Sequence, residues 1–178
     1  FTSLPGSQAF DVVAEGVSTR DDRAEMADFQ DKLGRLQKAE TAAEQSAAEA
    51  RTRLDAIVRS IDATPALGPK VHEEARAIEQ RLLEINRVLK GDTVMEGRSE
   101  ATPISISERV QASTSALRLT TGRPTKTAVD NYQIASDELA LEIPKLRKLI
   151  DSDIRSLEKQ LDAAGAPPTP GRLPDWKK

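Results

Sequence analysis

Apolar side chains recur near the start of this chain at Met26, Phe29, Leu33, Leu36, Ala43, Ala47, Ala50, Leu54, Ile57 and Ile61, a 3-4-3-4 spacing interrupted only at Glu40. That spacing keeps one face of an α-helix continuously apolar, as in a heptad seam. It predicts a helix from about Asp21 to about Asp62. Asp21, Asp22 and Glu25 suit its positive N-terminal end, and Thr64-Pro65 stops it. At 1.5 Å per residue the helix is roughly 60 Å long, too long for a compact globular fold. Small residues in its middle (Ala39, Ala42, Ala43, Ala47, Ala50) let a neighbouring helix approach closely. Gly34 lies inside it at about 1 kcal/mol relative to alanine.

After the Pro65 to Pro69 turn, Val71, Ala75, Ile78, Leu82, Ile85 and Leu89 repeat the heptad and predict a second helix, which Gly91 stops. "GDTVMEGRSEATP" reads as a loop of about a dozen residues. Ser105 and Glu108 make a capping box ahead of Val110, Ser113 and Leu117, so a short third helix starts there, and "TTGRPT" ends it. A fourth helix begins near Thr125 and carries Tyr132, Leu139, Ile143, Leu146, Ile150, Ile154, Leu157 and Leu161 to a stop at Gly165. Pro144 falls inside it and should bend its axis. The step from Ile150 to Ile154 also breaks strict heptad order, so one kinked helix is expected, with two as the alternative.

Two long and two short helices joined by turns pack most simply as an all-α, elongated antiparallel three- or four-helix bundle. The first and last helices would form a hairpin-like pair, and the middle two would fill the groove along part of its length. "GSQAFDVVAEG" differs in kind: Phe10, Val12 and Val13 between glycines read as a short β-strand. A lone strand needs partners, so it reads as the end of an upstream β module. The expected division is 1–18 as the end of that module or a linker, 19–164 as the helical bundle, and 165–178 as a proline-rich tail. The tail holds Pro167, Pro168, Pro170 and Pro174 with Gly165 and Gly171, and it cannot continue the helix. Yet it carries the one tryptophan of the chain, Trp176. An indole there reads as a docking group, seated on the bundle or on a neighbouring domain, or as the remnant of a larger polypeptide.

Composition narrows the function classes. At 178 residues the chain can bury roughly 70% of its extended surface as one domain, without disulfides or metals to hold it. Lysine plus arginine (26) nearly balance aspartate plus glutamate (29), which argues against a nucleic-acid binder or a polybasic membrane reader. No apolar run approaches the ~18 residues of a membrane span. The chain opens on Phe1 without a secretion signal, which reads as a mature or trimmed fragment. The absence of cysteine excludes disulfides, zinc thiolate sites and thiol catalysis, and leaves the compartment open. An aromatic fraction of 3% suits a thin Leu/Ile/Ala core better than a deep ligand pocket.

Little in the chain points to catalysis. The single histidine, His72, stands in "KVHEEAR", and a zinc-binding H-E-x-x-H would need histidine where Arg76 stands. It reads as a solvated first-turn residue. Asp151 with Asp153, and Glu73 with Glu74, lie among lysines and arginines and read as salt-bridged faces rather than desolvated acids. A di-iron bundle needs Glu-x-x-His pairs on facing helices. No G-x-S-x-G elbow or phosphate-cradling glycine loop is present. The threonines and Arg123 of "LTTGRPTKT" could meet an anion at the fourth helix's N-terminus, although a capped turn is the plainer reading. No catalytic residue, cofactor site or metal site is expected. Candidate interaction residues are Trp176, Leu173 and Arg172 in the tail and Tyr132 on the fourth helix. The long seams face either one another or partner helices.

The order of a "FDVV" strand, a long helix with an acidic start, "RPTKTAVDNYQIASDELALEIPKLRKLIDSDIRSLEKQLDAAGAP" and "TPGRLPDW" resembles the C-terminal helical region of bacterial exported proteins with sortilin-like BNR-repeat β-propellers. These are often labelled glycosyl-hydrolase-like. The resemblance covers residues 8 to 176 and is strongest from Pro124 onward. It rests on order rather than on catalytic signatures, and the propeller that bears the hydrolase label has no counterpart here. It implies a non-catalytic C-terminal module whose partners are upstream β domains of the same polypeptide or another protein. It also implies export to the periplasm or beyond. The alternative is a stand-alone coiled-coil adaptor or oligomerisation protein.

Overall fold

Local chemistry starts and stops the longer helices close to the expected places. In the computed structural model, which describes residue 9, residues 18–120 and residues 122–172, every regular element is helical. The elements are α1 (Arg20–Asp62), α2 (Pro69–Lys90), α3 (Thr93–Gly97), α4 (Ile106–Leu117) and α5 (Lys126–Lys148), then a π-helical turn (Leu149–Ile154) leading into α6 (Arg155–Ala163). The strand expected at Phe10 to Val13 lies outside the described residues. Thr19 and Asp22 form a reciprocal capping box at the start of α1, and Ser105 and Glu108 form the expected one at α4. Thr125 caps α5 by accepting from the Ala128 amide. At the far end, Ala166 N–H donates to the Leu161 carbonyl at 3.0 Å and Gly165 N–H to that of Asp162 at 3.1 Å, a Schellman stop.

The segment read as a loop after Gly91 contains α3, because the Asp92 side chain accepts from the amides of Val94 and Met95 and nucleates a turn. Gly91 itself has φ of 96°, and a Cβ there would collide with the Glu96 carboxylate. The left-handed φ is what selects glycine here, since the overlap falls only on the end of a flexible side chain.

Sequence separations between touching residues give the helix directions. Asp22 meets Arg123, Arg53 meets Glu158 and Ser60 meets Pro167 at separations of 101, 105 and 107 residues. So nearly constant a separation means that α1 and the arm made of α5, the π turn and α6 run in the same direction. Glu74 meets Gln160 and Arg81 meets Asp153 at separations of 86 and 72, so α2 runs against that arm. α4 does likewise, with Ser113 at Ala128 and Arg109, one turn earlier, at Asn131. The fold is thus an ascending α1, a descending arm of α2 then α4, and an ascending third arm. The expected hairpin of first and last helices is corrected to a parallel pair. The reason is length: α2 has 22 residues against 43 in α1, so α2 and α4 together make one arm joined at the α3 elbow. Three arms in alternation leave the first and last parallel.

All ten seam residues named on the first helix are buried, and the nine from Phe29 onward join a single core with those of α2, α4 and the third arm. Leu54, Ile57, Leu82, Leu89, Ile106, Ile154 and Leu161 are fully enclosed there. Burying one such side chain contributes about 1.5–3 kcal/mol, so the shared core dominates the fold. Pro144 does not end its helix. α5 runs past it for another turn, and the change of winding comes at Leu149–Ile154, where the heptad order breaks.

Candidate functional site

The feature most unlike a plain bundle is at its upper end, where residues 165–172 fold back over α1 and α6. Thr169-Pro170-Gly171-Arg172 is a tight turn: Arg172 N–H donates to the Thr169 carbonyl at 3.0 Å. Proline suits its second position and Gly171, with φ of 83°, its third. The turn throws the Arg172 side chain back into the fold. Its Nη2 donates to the carbonyls of Ala166 and Pro167 at 2.6 and 2.5 Å, and its Nε lies 3.0 Å from Asp162 Oδ1. The side chain is only 6% exposed. Ser60 Oγ, at the top of α1, donates to the Pro167 carbonyl at 2.8 Å and ties the strap from the other side. Ala166 and Thr169 within the strap are buried.

Beside the strap, Arg53 of α1 holds Glu158 of α6 with two parallel bonds, Nε to Oε1 at 2.6 Å and Nη2 to Oε2 at 2.5 Å. These residues, with Arg155, Lys159, Asp162 and Arg172, border an open polar cavity of about 560 Å³. It offers cationic and carboxylate groups in alternation, the chemistry of a polar contact surface.

Of the expected interaction residues, Arg172 is therefore engaged by the chain itself. Tyr132 is half-buried on α5 and meets Phe29 of α1 edge to face, ring centres 5.6 Å apart and planes at 72°. Leu173 and Trp176 lie outside the described residues.

A second polar feature sits inside the core. Glu40, the interruption in the α1 seam, is 6% exposed. Burial raises its pKa above the ordinary 4.5; Ser107 at the start of α4 partly opposes this, and the neighbouring Glu44 adds to it. Glu44 is paired with Lys90 of α2 at 3.0 Å. The Glu40 to Glu44 level is thus where α1 meets the junction of α2 and α4.

Most of the residues weighed for chemistry are engaged by neighbours, and Glu73 is exposed. His72 Nδ1 lies 3.6 Å from Asp62 Oδ1 across the α1–α2 turn. Asp153 pairs with Arg81, Asp151 with Arg155, and Glu74 accepts from Gln160. Arg123 is 2.5 Å from Asp22 and 3.4 Å from Glu25, so it holds the acidic first turn of α1. Among the described residues no group of three His, Cys, Asp or Glu side chains could hold a metal ion, and no helix is long and apolar enough to cross a membrane. The sequence signalled Glu40 by its break in the seam. It carried no signal for the Arg53–Glu158 fork, because both residues read as ordinary charged surface positions. Comparison with known protein families, curated proteins and solved structures finds no match.

Proposed function

We propose that this chain is a non-catalytic structural and interaction module that acts as the C-terminal helical domain of a larger exported protein carrying an upstream BNR-type β-propeller. The placement within a larger exported protein rests on the resemblance of the "FDVV", "RPTKT…DAAGAP" and "TPGRLPDW" segments. The structural role rests on one observation: the seam from Met26 to Ile61 is consumed inside the chain, buried under its own α2, α4, α5 and α6. A helix whose apolar face is already covered serves as a rigid spacer. Contacts with other domains then fall to its ends, where the strap leads into Leu173 and Trp176.

That same observation weighs against the alternative, a stand-alone coiled-coil adaptor, since an intermolecular seam would be left open. The two readings separate by mass action. An intramolecular bundle keeps one mass in sedimentation and one melting temperature across protein concentrations, whereas an obligate oligomer melts higher as concentration rises. Acrylamide quenching of Trp176 tests where the end docks. A protected, blue-shifted indole places its seat on this chain. A freely quenched one moves the seat to another domain or protein and makes the 173–178 segment the interaction element.

A further inference from the structure

Buried positions along the third arm run Ala135, Leu139, Glu142, Leu146 and Leu149, then Ile154, Leu157 and Leu161. Each step in this series is three or four residues except that from Leu149 to Ile154, which is five; Ile150 between them is half-buried against the core, and Glu158 is buried beside Leu157. In an unbroken α-helix, at about 100° per residue, that step would swing the mean direction of Ile154, Leu157 and Leu161 about 70° from that of Ala135 to Leu149, toward the edge of the core-facing stripe. The π turn removes that error: i→i+5 bonding takes in one more residue per turn, so both halves keep their apolar face inward. α1 alongside has no such step.

Two half-open clefts flank the arm at this level. Ile85, Val88, Glu142 and Leu149 border about 340 Å³ on the α2 side. Ala42, Ser46, Ile143 and Ile150 border about 350 Å³ on the α1 side. Pro144, one turn earlier, has no N–H to give the Ala140 carbonyl, so the helical bonding is already interrupted there.

We infer that Leu149–Ile154 holds a one-residue insertion in an otherwise regular helix, that the fold carries it at a cost in stability, and that the widened turn keeps both clefts from closing. The third arm is then two rigid halves joined at a built-in soft point.

Deleting the exposed Ser152 tests this, because it returns the steps after Leu149 to four, three and four. The deletion protein should keep its helical circular dichroism and melt about 2–4 °C higher than the intact chain. Its amide exchange over residues 142–154 should slow at least about fivefold. The comparison is deletion of Ala48, also exposed but inside the unbroken seam of α1, which should abolish folding or lower the melting temperature far more. If loss of Ser152 is as damaging as loss of Ala48, there is no spare residue and the inference fails. A folded deletion protein that melts no higher than the intact chain overturns the stability cost. A higher melting temperature with unchanged exchange over 142–154 overturns the link to the clefts.

Discussion

Arg53 and Glu158 stand 105 residues apart in sequence and form a two-pronged ion pair between α1 and α6, with the carboxylate side chain 10% exposed and the guanidinium 26%. Two parallel bonds fix both the height and the rotation of one ascending helix against the other. Removing one partner leaves the other charge buried and unpaired. Glu158→Gln or Arg53→Met should each lower stability by about 2–3 kcal/mol, somewhat under the range for fully enclosed pairs because Arg53 retains some water. The double variant Arg53→Met/Glu158→Leu should recover much of the loss. Urea unfolding in a double-mutant cycle checks this, and additive losses would refute the coupling.

At the other end of α1, the Thr19 hydroxyl, then the Thr19 amide, then Arg123 hold the Asp22 carboxyl down from 3.8 to about 2. The folded value lies below the unfolded one, so the ionised form contributes stability above 3.8, which is lost as pH falls toward 2. Asp22→Asn should lower stability at neutral pH and flatten the acid limb in that window. Melting temperatures across the acid range would show it.

Glu40 carries the opposite sign. Burial raises its pKa above 4.5, so the folded chain holds this proton more tightly than the unfolded chain. Stability is fully present below 4.5 and is lost as pH rises through the raised folded value. Glu40→Gln should match the parent chain in acid and exceed it at neutral pH. Equal melting curves at neutral pH would show that Ser107 and the surrounding groups already compensate the charge.

Gly34 offers a simpler gain. It lies within α1, and a Cβ added there meets nothing within 4 Å. Gly34→Ala should therefore raise stability by about 0.5–1 kcal/mol through loss of unfolded-chain freedom. A loss in equilibrium unfolding would mean that this part of α1 packs more tightly than its geometry shows.

The strap yields a local test. Arg172→Ala removes the bonds to the Ala166 and Pro167 carbonyls and the pairing with Asp162. Amide exchange across residues 165–172 should rise while that of α2 and α4 stays unchanged. A global loss of protection would instead make the strap part of the cooperative core.

The helices were legible because burial on one side of a helix writes a repeat into the sequence, and capping residues punctuate it. Every seam residue from Met26 to Ile61 is buried, and Ser105, Thr125 and Gly165 act where expected. α3 escaped notice because its five residues bury nothing and so leave no periodic trace. Of the interaction candidates, Arg172 gave no hint in sequence that it would turn inward, since that depends on the Thr169–Arg172 turn folding back over Asp162.

By itself, then, the sequence determined which of the longer segments are helical, about where they begin and end, and which face of each is buried, since all three are set by residues close together in the chain. It also marked the odd step near Ile154 that became the π turn. Only the tertiary structure decided that the first and last helices run parallel and that α2 and α4 share one arm. The fork of Arg53 with Glu158 and the inward clamp of Arg172 were likewise decided there. Those features depend on how lengths add up and on which surfaces meet across more than a hundred residues of chain. An apolar stripe specifies that it will be covered, but its spacing is blind to which helix covers it and in which direction that helix runs.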